Sequence, residues 1–129
     1  MRKILVVDDN AANADIITLI LKSDKFQVMH AENLHYGYAM LSFRPDLVLL
    51  DVTFPDGDGK DLCRHIKANK ETAATPVILM SARHDVALMA KNCGADDFIE
   101  KPFGIDELRK MVHGFISKKQ EVDSCIVLK

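Results

Sequence analysis

The residues that could do chemistry stand at one recurring place, directly after short apolar runs. Asp8 and Asp9 follow Ile4 to Val7, Asp51 follows Leu47 to Leu50, Ser81 follows Val77 to Met80, and Lys101 follows Phe98 and Ile99 with one residue between. Two carboxylates about 4 Å apart repel by roughly 4 kcal/mol at an effective dielectric near ~20, so three of them together need a counter-charge or must take up protons. A divalent cation supplies that charge. All-oxygen donors with few protein ligands suit Mg²⁺, for which Mn²⁺ can substitute. A carboxylate beside such a cation can attack phosphorus and form an acyl phosphate, provided a cationic side chain and a hydroxyl offset charge on the equatorial oxygens. Asp51 is then the candidate nucleophile and Asp9 a direct metal ligand. Asp8 would act mostly through water, and Lys101 and Ser81 would bind phosphoryl oxygens.

These residues can meet only if the fold brings the ends of the apolar runs together. The runs Ile4 to Val7, Gln27 to Ala31, Leu47 to Leu50, Val77 to Met80 and Phe98 to Ile99 read as five strands. They alternate with segments of helical period, the pattern of a parallel sheet covered by helices on both faces. Ala12 to Lys22 follows a capping Asn10, and Leu34 to Phe43 stops before Pro45. Gly59 to Ala68 is the third helix, Val86 to Cys93 the fourth with Gly94 as its cap, and Ile105, Leu108, Met111, Val112, Phe115 and Ile116 mark the fifth. In an open α/β sheet the carboxyl ends of the strands face one crevice where the strand order reverses, and all the singled-out residues stand there.

Bulk properties narrow the class. The 129 residues fit one domain. Seventeen Lys and Arg against 19 Asp and Glu, a net charge of -2, carry no broad basic footprint, so no direct nucleic-acid partner is expected. Cys63, Cys93 and Cys125 are odd in number, widely spaced and without a CxxC pair, and read as reduced thiols of a cytoplasmic protein. The apolar start is too short for a signal peptide or a membrane span. His30, His35, His65, His84 and His113 form no HxxxH or HxH pair and read as ordinary surface or half-buried imidazoles.

The motifs Val6-Val7-Asp8-Asp9-Asn10, Pro45 through Asp51, Pro55 with Gly59, Pro76-Val77-Ile78, Ser81-Ala82, and Gly94 through Phe103 give the chain a resemblance to response-regulator receiver domains of bacterial two-component signalling. The resemblance spans roughly residues 2–118. It implies a single doubly wound, flavodoxin-like α/β domain over 1–118, with a five-stranded parallel sheet in the order 2-1-3-4-5 flanked by five helices; a member of this family is a standard example of that order. Residues 119–129 would be a C-terminal tail outside the pattern. The resemblance further implies Asp51 as phosphoacceptor, Asp8, Asp9, Asp51 and the backbone carbonyl of Thr53 as metal ligands, and a cis Lys101-Pro102 peptide. The Ser81 hydroxyl would swing to the phosphoryl group and Phe98 turn inward, changing the surface of the fourth helix, fifth strand and fifth helix (α4-β5-α5 in the family's scheme), which could also support a homodimer. The donor would be a histidine kinase or histidine phosphotransfer protein, and the downstream partner a protein that the sequence does not name.

The sequence departs from the usual pattern in the loop after Asp51. Phe54 stands where Met is common, and Gly57, between Asp56 and Asp58, replaces an apolar residue. Ser81 replaces a common Thr but keeps the hydroxyl, Phe98 lacks the phenol of the common Tyr, and Thr53 and Arg83 occupy positions that influence phosphoryl lifetime. Each residue also has a plainer role: Ser81 as a helix cap, Lys101 as a surface amine, Phe98 as core, the aspartates as loop acids. Two other function classes compete. A pseudo-receiver keeps the fold but works as a binding module without phosphorylation; a missing acid pair, acceptor or lysine would support it, and all are present. A phosphatase using an aspartyl phosphate would want an acid two residues after its nucleophile, where this chain has Thr53.

Overall fold

The computed structural model describes the backbone of residues 2–128 and the side chains of residues 2–117. In chain order the elements are β1 (Lys3–Val7), α1 (Ala11–Ser23), β2 (Gln27–Ala31), α2 (Leu34–Met40), a 3-10 turn (Leu41–Phe43), β3 (Leu47–Asp51), β4 (Thr53–Phe54), β5 (Gly57–Asp58), α3 (Gly59–Ala68), β6 (Val77–Ser81), α4 (Val86–Cys93), β7 (Asp97–Glu100) and α5 (Ile105–Leu128). The main sheet has five strands in the order β2-β1-β3-β6-β7, every neighbour parallel, which is the expected 2-1-3-4-5 once the short β4-β5 pair is set aside.

Strand side chains alternate between faces, so each apolar run feeds two cores. Leu5, Val7, Val48, Leu50, Val77 and Leu79 pack on one face with Leu62 and Ile66 of α3 and Val86 and Met89 of α4. Ile4, Val6, Leu47, Leu49, Ile78 and Met80 pack on the other with Ile17 and Leu21 of α1 and Leu108 and Val112 of α5. Each such buried aliphatic side chain contributes roughly 1.5–3 kcal/mol. Because both faces are covered, the strands read as continuous apolar runs.

Local signals set most helix ends. The Asn10, Asn33 and Asp58 side chains accept hydrogen bonds from the N–H groups of Asn13, Tyr36 and Lys60, at 3.1, 2.9 and 2.9 Å, and open α1, α2 and α3. Gly94, at φ 81°, closes α4. The helix expected over Leu34 to Phe43 stops earlier: α2 ends at Met40 and the chain tightens into the 3-10 turn, with Arg44 left-handed at φ 56°. Pro45 disfavours helical backbone at the residue before it, so the last turn cannot continue as α-helix. Three strands reach one residue further than their apolar runs, ending on Asp51, Ser81 and Glu100. The helix α5 continues to Leu128. The tail expected over 119–129 falls on residues whose side chains lie outside the described part.

An ion-paired cluster ties α1 to α5. Arg109 donates from Nε and Nη2 to Asp24 at 2.9 and 2.8 Å, and His113 Nε2 lies 2.9 Å from the same carboxylate. Hydrogen bonds from Arg109, then from His113, hold the Asp24 carboxyl below its ordinary range. A lowered folded-state value means that the stabilisation is present above the unfolded carboxyl pKa of about 3.9 and is lost as pH falls through the folded value. The Asp24→Asn variant is therefore expected to unfold more easily than the parent at neutral pH, with the gap closing in strong acid. Urea melts of both proteins across pH 2 to 7 check this.

Candidate functional site

Two adjacent parallel strands deliver the acids. β1 and β3 are neighbours, paired Val7 to Leu50, so Asp8 and Asp9 leave the sheet beside Asp51. Oxygen atoms of Asp8, Asp9 and Asp51 lie within 4.8 Å of one another. Asp8 is fully buried, Asp51 is partly buried and Asp9 is exposed. Lys101 arrives from β7, two strands away, and reaches across: its Nζ lies 3.0 Å from Asp51 Oδ2 and 3.3 Å from Asp8 Oδ2. The Lys101-Pro102 peptide is cis, as expected.

Backbone groups orient these acids. The Asn10 N–H donates to Asp8 Oδ1 at 2.9 Å, and the Val52 N–H donates to Asp51 Oδ1 at 2.7 Å. Burial pushes the Asp51 carboxyl up, and the Asp8 charge adds to that; Lys101 and the Val52 N–H pull it down without reversing the shift. Burial works against the Lys101 ammonium, but the charges of Asp51 and Asp8 outweigh it and raise its pKa. One ammonium among three carboxylates leaves the crevice short of positive charge. The donor set, all oxygen and carboxylate-rich, fits a hard divalent cation such as Mg²⁺.

Ser81 ends β6 and is buried, and its Oγ accepts a hydrogen bond from the Arg83 N–H at 3.1 Å. The Ser81 carbonyl also accepts from the Lys101 N–H at 2.8 Å, which ties the serine to the lysine through backbone. Phe98 points outward, 38% exposed, on β7. Thr53 is exposed at the start of β4 and pairs with Asp58 of β5. The structure thus gathers Asp8, Asp9, Asp51 and Lys101 at one point, with Ser81 joined to Lys101 through backbone, Thr53 two residues beyond Asp51 and Phe98 part-exposed on β7.

Some supporting residues escaped the sequence reading. The segment after Asp51, which the sequence reading marked only by its departures at Phe54 and Gly57, is a hairpin, β4-β5. Asp56 at its tip accepts hydrogen bonds from the Leu34 and His35 N–H groups at 3.2 and 3.1 Å, which fastens the hairpin to the start of α2. Gly57 takes φ 151°, a left-handed-side conformation that other residues resist. A Cβ on Gly59 would run into the Asp51 carbonyl oxygen, so only glycine lets α3 start this close to the acceptor strand. The run Asp56-Gly57-Asp58-Gly59 carried the turn and cap signal; only its long-range partners were hidden. The imidazole Nε2 of His30 on β2 also lies 2.8 Å from the Asp8 carbonyl oxygen.

Comparison with known proteins agrees with this geometry. Residues 4–113 match the model of the response regulator receiver domain. The chain belongs to the response-regulator receiver family. The receiver is 38% identical to the KDP operon transcriptional regulatory protein KdpE of Escherichia coli over 84% of its own length and 48% of the relative's. It is 32% identical to the DNA-binding response regulator MtrA of Mycobacterium tuberculosis over 93% of its own length and 53% of that protein's. The chain therefore spans about half the length of the curated relatives it matches. Among solved structures, the signal receiver domain of a signal transduction histidine kinase from Syntrophus aciditrophicus superposes with a TM-score of 0.84 at 34% identity, covering 92% of each chain. Receivers of this family are signalling modules and typically use Mg²⁺. No described helix is long and apolar enough to cross a membrane.

Two outcomes follow from the crowded charge and the tight glycine. In chelator, Asp51→Asn is expected to raise the thermal midpoint, because it removes a partly buried carboxylate whose ionisation is unfavourable. Saturating Mg²⁺ should narrow the gap by stabilising the parent, by about 2.7 kcal/mol at a hundredfold excess over Kd. Calorimetric scans with and without Mg²⁺ measure both. Gly59→Ala is expected to cost about 1–3 kcal/mol in urea unfolding, with α3 displaced from Asp51.

Proposed function

We propose that this receiver accepts a phosphoryl group on Asp51, in a Mg²⁺-dependent reaction, from a phosphohistidine of a histidine kinase or histidine phosphotransfer protein. The observation that carries this reading is the Lys101 ammonium bridging Asp51 and Asp8 inside a three-carboxylate cluster. In the proposed step an Asp51 carboxylate oxygen forms a bond to phosphorus as the phosphorus–nitrogen bond of the donor breaks. The departing imidazole nitrogen takes a proton from solvent. Asp8, Asp9, Asp51 and the Thr53 carbonyl would hold the cation, which offsets charge on the phosphoryl oxygens. Lys101 and Ser81 would bind those same oxygens, and promoting phosphorylation and dephosphorylation in this way is the chain's own contribution.

Room for a protein donor lies next to the site. A groove of about 370 Å³ beside Lys101 is lined by Ile16, Ile20, Pro102, Phe103 and Ile105, and Ile16 and Ile105 are more than half exposed. An apolar patch at the rim of a charged crevice suits a protein carrying the histidine better than a small metabolite. Free thiols at Cys63 and Cys93 agree with a cytoplasmic setting for such a partner.

The output reading is part of the same proposal. Phosphorylation would draw the Ser81 hydroxyl from the Arg83 N–H toward the phosphoryl group, and Phe98, now outward, would turn into the vacated space. The face formed by α4, β7 and α5 would change, and with it binding of a downstream protein or of a second copy. Moving such an equilibrium from 1:99 to 99:1 requires ~5.5 kcal/mol of differential interaction. Transcription control and DNA binding are named for relatives about twice the matched length, and for this chain we propose regulation of a partner protein or of a domain joined to it.

Intact-mass analysis after incubation with Mg²⁺ and acetyl phosphate tests the core step. One added phosphoryl group is expected in the parent, and none in Asp51→Asn or in chelator. Lys101→Ala should lower the rate at least about tenfold, since it removes a charge-assisted contact made to the transferring group. An unmodified parent that still binds Mg²⁺, with trapping fast enough to catch a short-lived adduct, would show a phosphorylation-independent binding module.

A further inference from the structure

The end of the sheet opposite the acids has the reverse chemistry. Arg2 precedes β1 and Lys3 opens it, Lys25 precedes β2, and Arg44 precedes β3, so cations gather at the amino ends of three adjacent strands. With His113 of α5 they line a concavity of about 690 Å³. Two acids, Asp24 and Asp46, share the wall, and both are engaged. Asp24 accepts from Arg109 and His113. Asp46 accepts from the Lys3 N–H at 2.8 Å and pairs with Arg2 at 3.7 Å. Lys3 Nζ donates to the Phe43 carbonyl at 3.1 Å and keeps further N–H groups to give. The side chains of Lys25 and Arg44 have no hydrogen-bond or ion-pair partner among the described residues. With Arg2 set against Asp46 and Arg109 against Asp24, Lys3, Lys25 and Arg44 remain as surplus cations and make this a positive site on a chain of net charge -2.

The backbone adds a second observation. Among the described residues, Lys25 at φ 71° and Arg44 at φ 56° are the two non-glycine residues with positive φ, and both line this concavity. Left-handed backbone costs an ordinary side chain about 1 kcal/mol, and glycine or asparagine is the usual occupant at such helix ends. The dipole of α1 favours a cation at Lys25. The 3-10 turn before Arg44 is three residues long and has little dipole to offer. Both left-handed positions thus hold cations where the backbone would favour glycine.

We propose that this concavity binds a small polyanion, a polyphosphate-bearing metabolite of nucleotide size, at the end of the sheet remote from Asp51. Its volume lies in the range of small-molecule sites, and cations converging from three separate segments, with His113 beside them, suit several negative charges on one ligand. The proposal stands independently of phosphorylation at Asp51.

The test is a nitrogen-15 NMR titration of the full chain with inorganic tripolyphosphate and with ATP, in chelator and at physiological ionic strength. Saturable shifts are expected at Lys25, Arg44 and His113, separate from any at Asp51 and Lys101. The variant carrying Lys25→Gly and Arg44→Gly places glycine where the backbone already favours it, so its thermal midpoint should hold or rise. Its affinity should fall at least about tenfold through two lost charge-assisted contacts. Absence of saturable shifts at the cationic end, or equal affinity in the double-glycine variant, overturns the proposal.

Discussion

The structure depends on an imbalance of charge at the carboxyl end of the sheet. Asp8, Asp9 and Asp51 crowd within 4.8 Å of one another, and the Lys101 ammonium reaches Asp8 and Asp51. A fold selected only for stability would not bury Asp8 completely and set a second carboxylate beside it, because each ionised acid raises the cost of the next. The imbalance makes the crevice a receptor for positive charge and for a group whose transfer that charge assists. Much of the surrounding architecture holds the imbalance in place: the N–H groups of Asn10 and Val52 orient the acids, Gly59 admits α3 against Asp51, and Asp56 fastens the following hairpin to α2.

Such strain needs a rigid frame, and the two-sided core provides it. Each central strand contributes alternate residues to opposite cores, so β1, β3 and β6 are clamped by α1 and α5 on one face and by α3 and α4 on the other. The elements around Ser81 and Phe98 are less constrained. Ser81 is buried but held through a backbone N–H, and Phe98 is partly exposed, which leaves room for two arrangements of the same residues. A stiff acceptor strand beside an adjustable edge is a physical basis for turning a local change of charge into a change of surface.

The polarity of the parallel sheet also separates the two ends of the molecule. Because all five strands run the same way, residues that follow apolar runs collect at one end and residues that precede them at the other. Acids outnumber cations in the crevice at the first end and cations outnumber acids in the concavity at the second, a separation that the small net charge conceals.

The sequence alone determined the class and order of the main elements, because continuous apolar runs and helical periods are local and both faces of the sheet are covered. It also singled out Asp8, Asp9, Asp51, Ser81 and Lys101, since strand ends in a parallel sheet must converge, and the resemblance to receivers supplied the strand order and the cis peptide that periodicity does not contain. Tertiary structure decided what depends on distance across the chain. That Lys101 bridges Asp51 and Asp8, that Asp56 caps a helix 22 residues earlier, and that Lys25 and Arg44 share a concavity are pairings between segments. Local propensity records what a residue prefers beside its neighbours, whereas these contacts exist only because packing of the two cores fixes where each strand begins and ends.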